Sequence, residues 1–417
     1  MPVPLTRPNP PRLSEAAAEL RKIEDRGIFS NFGPVNTQFE QEMISRMFGG
    51  VGACVTVCNA TIGLMLAIKQ ATADFPPTRR YALMPSFTFA AAAQAAMWCG
   101  LTPLFCDIDP QDWAASAAAE DAALARYGDS IAVIVPYATF GFDIDLKRYT
   151  DITDRLGIPV VVDAAASLGT ISADGRGFGS GYRGSIVYSM HATKSFATGE
   201  AGIIYSADEA AITQQRQMCN FGFGKPRNAT MLGLNGKLSE VGALLGQLRL
   251  ADYDAVMEHR AELVKEYRRA LPDLSFQPAR PHRQAHQFCS ALLPRDLASQ
   301  RDDINASLAA DGIGSAHYFS PHVMEQDYFI QHGVSDALPV TDDVASRIIS
   351  LPLYDTMTMA DLDTVVTAVA WQLARRRGAR KSARRIRAQP TPVSAPVPMA
   401  QMVVGFTENG LGKSTAA

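Results

Sequence analysis

The chain has 417 residues, 47% of them hydrophobic and 19% charged, with a net charge of −3. That length allows two or more domains of about 100–200 residues with a sizeable core and excludes a small disulfide scaffold, while the composition excludes a wholly disordered or collagenous chain. No stretch reaches the roughly 18 to 20 consecutive apolar residues that a membrane-spanning helix needs, and the start, MPVPLTRPNPPRLSEAAAEL, has no apolar run behind its charges, so a chain neither inserted nor exported, hence cytoplasmic, is expected.

Residues 1–28, Pro-rich and then briefly helix-like in LSEAAAELRKIEDRG, read as an N-terminal arm. From 29 to 254, short apolar runs rich in β-branched residues alternate with helical stretches. ACVTV leads to a helix through LMLAIKQA, and YALMP to AAAAQAAMWCG. TPLFCDI follows, then IAVIVPY before DLKRYTDITDRLG, and IPVVVD, SIVYSM and AGIIYS complete the run. Apolar runs without polar alternation fit strands covered on both faces, and the intervening helices make crossovers, so the expectation is an α/β domain with a doubly wound, mostly parallel sheet. A long helical stretch, SEVGALLGQLRLADYDAVMEHRAELVKEYRRAL, is expected to cross into a smaller α+β domain at 255–372. Residues 373–417 read as an unfolded tail, first basic, with eight Lys/Arg and no acid from Arg375 to Arg387, then rich in Pro, Ser and Ala.

Six cysteines, Cys54, Cys58, Cys99, Cys106, Cys219 and Cys289, lie in largely apolar contexts without a C-x-x-C pair or zinc-like His spacing. Reduced, buried thiols and no metal are expected. Two phosphate-loop lookalikes are set aside. Gly179-x-Gly181-x-x-Gly184 leads into a strand, where a dinucleotide loop must open a helix. GLGKST in the tail has Thr407 where a phosphate loop requires its first glycine.

More specific is SIVYSMHATKSFATGEAG, in which Lys194 follows an apolar strand and sits among small and hydroxyl residues. Thirty-one positions earlier, IPVVVDAAASLG ends a strand on Asp163, at the carboxyl edge of a parallel sheet where ligands bind. An unpaired acid there is costly, and the two residues complement each other around a pyridoxal phosphate ring: Lys194 makes the Schiff base, and Asp163 keeps the pyridine nitrogen protonated. The turn Asn59-Ala60-Thr61, between a strand and a helix start, offers N–H groups and a dipole to the phosphate, and Ser189 offers a hydroxyl.

These residues resemble the sugar aminotransferases of the DegT/DnrJ/EryC1/StrS family, which adopt the fold type I architecture of pyridoxal-phosphate enzymes. The likeness runs in order from about 30 to 370 through NFGPVNTQFEQEM, VCNATIGLMLAI, MPSFTFAAAAQAAMWCGLTPLFCDID, VVVDAAASLG, YSMHATKSFATGEAG, NFGF with LGLNGKLSEVGALLGQL, and GIGSAHYFSPH. The resemblance implies that Lys194 is the Schiff-base lysine and Asp163 the pyridinium partner, that Phe89 stacks on the cofactor, and that Ala60, Thr61 and Ser189 hold its phosphate. It further implies that Asn235 reaches in from a neighbouring subunit, hence a homodimer with shared sites, and that His191, His317 and Tyr318 lie where substrate approaches. Three departures stand out. Ala166 occupies a position where the family commonly has glutamine near the cofactor's phenolic oxygen, so that contact is lost or taken over by Ser167 or water. GEAG replaces the usual GEGG, and Lys237 stands where arginine is frequent.

The activity so implied is transfer of an amino group from an amino acid, with glutamate the expected donor, to a nucleotide-linked keto sugar, most nearly a 4-keto-6-deoxyhexose, in amino-sugar or polysaccharide biosynthesis. Retention of Lys194 argues against the related dehydratases in which histidine replaces it. Two other readings are carried: another fold type I reaction, such as cyclitol amination or dehydration, and a binding protein whose basic tail docks on a polyanion. The second lacks the helix-turn-helix or interleaved aromatics of nucleic-acid readers.

Overall fold

A computed structural model of the protein describes residues 2–279 and 282–387. The strands of the main sheet are β1 (Ala53–Val57), β2 (Tyr81–Pro85), β3 (Thr102–Cys106), β4 (Ile131–Ile134), β5 (Val161–Asp163), β6 (Ser185–Ser189) and β7 (Gly202–Ser206). A smaller lobe carries β8 (Ser275–Phe276), β9 (Cys289–Leu292) and β11 (Ile348–Leu351), while the two-residue β10 (Val334–Ser335) joins the main sheet beside β3. The pairing runs β1-β7-β6-β5 and β10-β3-β2-β4, and parallel bridges from Ile134 to Val160 and from Tyr137 to Asp163 join the two halves. All neighbours are parallel except β7, which lies antiparallel to β1 and β6. The sheet is therefore mostly parallel, as its unbroken apolar runs predict, and its strands are almost wholly buried.

Helices α1 (Ala17–Arg26), α2 (Pro34–Phe48), α3 (Ala60–Ala71), α4 (Ala91–Trp98), α5 (Ala117–Tyr127), α6 (Leu146–Leu156), α7 (Glu209–Met218) and α8 (Glu240–Ala270) precede the smaller lobe's α9 (Arg301–Ala310), α10 (Asp327–His332), α11 (Pro339–Arg347) and α12 (Met359–Arg387). Two cores sandwich the main sheet. One gathers Phe39, Leu83, Ile134, Val162, Ile186 and Tyr253, the other Val55, Leu64, Met84, Val133, Val161 and Val187, so successive strand residues point to opposite faces.

Helix α8 gives Ala243, Leu250 and Met257 to the large core, and Leu263, Val264 and Tyr267 to a separate core beneath the antiparallel sheet β11-β9-β8. The N-terminal segment packs against the smaller lobe: Val3 bridges Ile313, and the Arg7 guanidinium lies 5.0 Å from the Tyr354 ring centroid. Met1–Ala374 forms one compact unit and Arg375–Ala417 a second. A tail beginning at 373 does not match the backbone, because α12 continues through the basic run to Arg387. The rest of the expected tail, GLGKST included, lies outside the described residues. Gly179-x-Gly181-x-x-Gly184 leads directly into β6 and opens no helix. Among the described residues, no helix is long and apolar enough to cross a membrane.

Candidate active site

Because β1, β2, β4, β5 and β6 point the same way, their carboxyl ends deliver five segments to one edge: Cys58–Thr61, Ser86–Phe89, Val135–Phe140, Asp163 and Ser189–Lys194. Ligands collect at such edges since the strand ends diverge into loops there.

Asp163 closes β5 and is buried, 2% exposed. Its N–H donates to the Pro136 carbonyl and its own carbonyl accepts from Ala138 N–H, both at 2.9 Å, which fixes the strand end; Oδ1 accepts the Ala165 N–H at 3.0 Å. Burial pushes its carboxyl up to about 6, opposed by that N–H and then by the nearby Lys194 ammonium. Lys194 sits in the loop joining β6 to β7, closed by Ala192 N–H to the Gly199 carbonyl at 2.7 Å and Lys194 N–H to the His191 carbonyl at 2.9 Å. Gly199 has φ +115, a conformation that a side chain would disfavour. Burial draws the Lys194 amine down to about 8, with Asp163 pulling the other way. The structure thus places the two predicted residues on neighbouring segments, Asp163 buried and Lys194 partly buried, close enough for each charge to act on the other.

At the end of β1, Asn59 caps α3: its side chain accepts the Ile62 N–H at 2.9 Å. The N–H groups of Ala60 and Thr61, at the first two helical positions, have no intrahelical acceptor, and the helix dipole reinforces them. Gly202 lets β7 pass against this turn, for a Cβ there would fall 2.8 Å from the Ala60 nitrogen. Ser189 ends β6; its Oγ accepts the His191 N–H at 3.3 Å, which leaves its proton to donate.

Phe89 is 60% exposed although its neighbour Phe87 is fully buried, so the aromatic face after β2 is presented outward rather than packed in a core. The turn that carries it is pinned from the smaller lobe. Ser86 Oγ accepts the Met324 N–H at 3.0 Å and meets His322 Nδ1 at 2.8 Å, and His322 Nε2 lies 3.1 Å from Asp342 Oδ1.

Other predicted residues fall differently. His191 Nδ1 accepts the Thr193 N–H at 3.2 Å and Nε2 lies 3.4 Å from Glu200 Oε1, so its ring is engaged within its own loop. His317 faces Asn305 at 3.5 Å, and burial beside Arg301 lowers its pKa. Tyr318 stacks on Phe288 with centroids 4.9 Å apart, while the next residue, Phe319, stacks on Phe140 and lies 6.4 Å from Phe89. The His317–Tyr318 loop is therefore brought to the Phe89 side of the site. Asn235 accepts from Lys237 Nζ at 2.6 Å, on a segment held to β1 by Cys58 N–H donating to the Gly236 carbonyl at 2.7 Å.

At the departure from the family pattern, Ala166 is buried and Ser167 is no replacement: its hydroxyl donates to the Ala138 and Phe142 carbonyls at 3.3 and 3.4 Å. The side chain that meets Lys194 is one the sequence did not reveal, Gln287, whose Oε1 accepts from Lys194 Nζ at 2.9 Å. A glutamine 93 positions downstream, beside an apolar strand, carries no motif that could have flagged it.

Residues 12–370 match the model of the DegT/DnrJ/EryC1/StrS aminotransferase family. The chain is 33% identical over 376 residues to protein Rv3402c of Mycobacterium tuberculosis, covering 88% of this chain and 89% of that one. It is 26% identical over 372 residues to the dTDP-4-amino-4,6-dideoxy-D-glucose transaminase of Shigella dysenteriae, covering 88% and 98%. Among solved structures, a putative PLP-dependent aminotransferase from Bacillus cereus superposes with TM-score 0.84 at 35% identity, over 89% of this chain and all of that one. DesI, crystallised in the presence of its TDP-sugar product, gives TM-score 0.81 at 28% identity, over 92% and 96%.

Proposed function

We propose, on the premise that this chain belongs to the DegT/DnrJ/EryC1/StrS family of pyridoxal-phosphate-dependent aminotransferases with fold type I architecture, that it moves an amino group from glutamate to a nucleotide-linked 4-keto-6-deoxy sugar. One observation carries the reading: Lys194, partly buried in the loop after β6, lies within electrostatic reach of the buried carboxylate of Asp163 at the end of the adjacent parallel strand β5. The substrate class rests on the Shigella relative, named for a 4-amino-4,6-dideoxy sugar, and on the TDP-sugar product present with DesI.

The residues present fit the cofactor. An amine and an acid of opposite charge lie on neighbouring segments at one sheet edge, Phe89 offers an exposed aromatic face, and the α3 turn with Gly202 behind it forms a cradle that a Cβ would fill. Lys194 would hold the cofactor, Asp163 its ring nitrogen, Phe89 one ring face, and Ala60, Thr61 and Ser189 the phosphate. When bound, pyridoxal phosphate supplies the carbonyl that carries the amino group between substrates and a ring that accepts carbanion electrons.

The Lys194 amine would serve as the base that takes the donor's α-proton and returns it, and an amine near 8 suits a group that must both accept and give up a proton. Asp163 keeps the proton on the ring nitrogen; burial excludes the water that would weaken its field. His317 and Tyr318 line the approach for the sugar. The protein works in the cytoplasm as a homodimer with shared sites, in which Asn235 reaches into the neighbour's cofactor site. Incubation with glutamate and a panel of nucleotide keto sugars and keto cyclitols tests the reading. Donor-dependent amino sugar is expected, whereas amination confined to cyclitols, or none with any acceptor, overturns it.

A further inference from the structure

We propose that Gln287 is the positioning residue for Lys194: its amide oxygen, delivered from the smaller lobe, holds one N–H of the amine and aims the group into the site without adding a charge that would keep it protonated. This rests on the reading of Lys194 above. The contact is 2.9 Å, and Gln287 is 5% exposed while Lys194 is partly buried, so the amide oxygen is shielded and is held out to the amine. A lysine stem has four rotatable bonds, and an amine with no acceptor would be free to swing away between proton transfers.

Gln287 is itself held from behind. The Arg260 guanidinium donates to the carbonyls of His286 and Gln287 at 3.0 and 3.4 Å, and Arg260 is locked to Asp355 by contacts of 2.6 and 2.8 Å. Arg249 reaches the same carboxylate at 3.3 Å. Two residues on, β9 begins and pairs with β11. A buried ion-pair cluster on α8 and the smaller lobe therefore fixes the backbone that presents the amide, so the oxygen's position is set by the fold rather than by a surface loop.

The chemistry of position 287 follows from the charges around Lys194. Asp163 on β5 is the acid that acts on it. On its own loop, His191 and Glu200 face each other. From α8, the Tyr253 hydroxyl is taken up by Ser195 and the Leu168 carbonyl, and the Arg260 charge is met by Asp355. A second carboxylate at 2.9 Å would form an ion pair and hold the amine protonated, whereas an apolar side chain would leave its N–H groups without an acceptor. A neutral acceptor satisfies both demands. Ala166 supplies only a methyl group and Ser167 is committed to two carbonyls, so the amide comes from across the site.

The test uses protein stripped of cofactor and the loaded enzyme in parallel, with near-isosteric Gln287→Glu and Gln287→Met. In stripped protein, the pH dependence of Lys194 acetylation by acetic anhydride is read by mass spectrometry of its peptide. The Glu variant should move the midpoint up by about one pH unit or more, so labelling at pH 8 falls about ten-fold, while the Met variant leaves the midpoint at or below the parent's. In loaded enzyme, Gln287→Met should lower kcat about ten-fold or more with donor KM changed less than about three-fold, as expected when orientation rather than binding is lost. A Glu midpoint equal to the parent's, or a Met variant with parental kcat, overturns the proposal. If the Met variant fails to fold, the Glu midpoint alone decides. Failure of the cofactor reading shows separately, as absence of covalent cofactor capture in the unsubstituted protein, which the acetylation midpoint does not depend on.

Discussion

Replacing Asp163 by Asn should make the stripped protein more stable and the enzyme far less active, and the stability gain should depend on pH. The Asp163 carboxyl is raised from its ordinary 3.8 to about 6 by burial. A raised acid pKa means that the folded state binds the proton more tightly than the unfolded chain, so this group favours folding most below 3.8, and the advantage disappears as pH rises through 6. At 1.36 kcal/mol per pH unit, the buried charge costs about 3 kcal/mol at pH 7.5 and about 1 kcal/mol at pH 4.5. Asn keeps the acceptor for the Ala165 N–H and drops the charge. Urea denaturation of stripped parent and variant should therefore show Asp163→Asn more stable by about 3 kcal/mol at pH 7.5, shrinking by about 2 kcal/mol at pH 4.5. In loaded enzyme the same change should cut kcat by about 100-fold or more, since the carboxylate's field acts on developing charge. A variant that is destabilised at pH 7.5, or whose gain is the same at both pH values, would refute the claim that Asp163 is a buried charge whose desolvation the nearby Lys194 only partly offsets.

Phe89→Ala should weaken cofactor binding roughly five-fold, from about 1 kcal/mol of lost stacking, in a fluorescence titration; unchanged affinity would mean that the exposed ring meets nothing. Asn59→Ala and Asp145→Ala each remove a helix cap, on α3 and α6, and each should cost about 1 kcal/mol in urea denaturation, but Asn59→Ala alone should also weaken cofactor affinity if the α3 turn holds the phosphate as proposed. The rate of cofactor capture should climb with pH through about 8 and level off above it, as the Lys194 amine loses its proton; a rate constant between pH 6.5 and 9 would contradict the assignment.

Strands β1 to β7 were legible because each is a short apolar run without polar alternation, most of them β-branched, and burial on both faces is what such a run requires. Helix α5 was not, since it buries only Glu120, Ala123 and Leu124 and so shows no wide apolar stripe. The basic run after Ala374 shares the reading of the Pro/Ser/Ala/Gly-biased tail that follows it, yet it holds no proline before Pro390, and its Ala and Arg residues are strong helix formers, so local propensity carries α12 on to Arg387. Lys194 and Asp163 could be paired from sequence because both follow apolar strands whose carboxyl ends must meet. Gln287 could not: its proximity depends on how β9 and the Arg260–Asp355 pair seat the smaller lobe, which no local spacing encodes. Ser167 was a natural substitute on paper, and lost that role to two backbone carbonyls that needed its proton.

The most direct measurement is borohydride reduction of the protein loaded with pyridoxal phosphate, followed by peptide mass spectrometry. A reduced cofactor adduct on Lys194 is expected, absent when glutamate is added first and absent from Lys194→Ala. An adduct on another lysine, or persistence of the same adduct yield in Lys194→Ala, would contradict the assignment of Lys194.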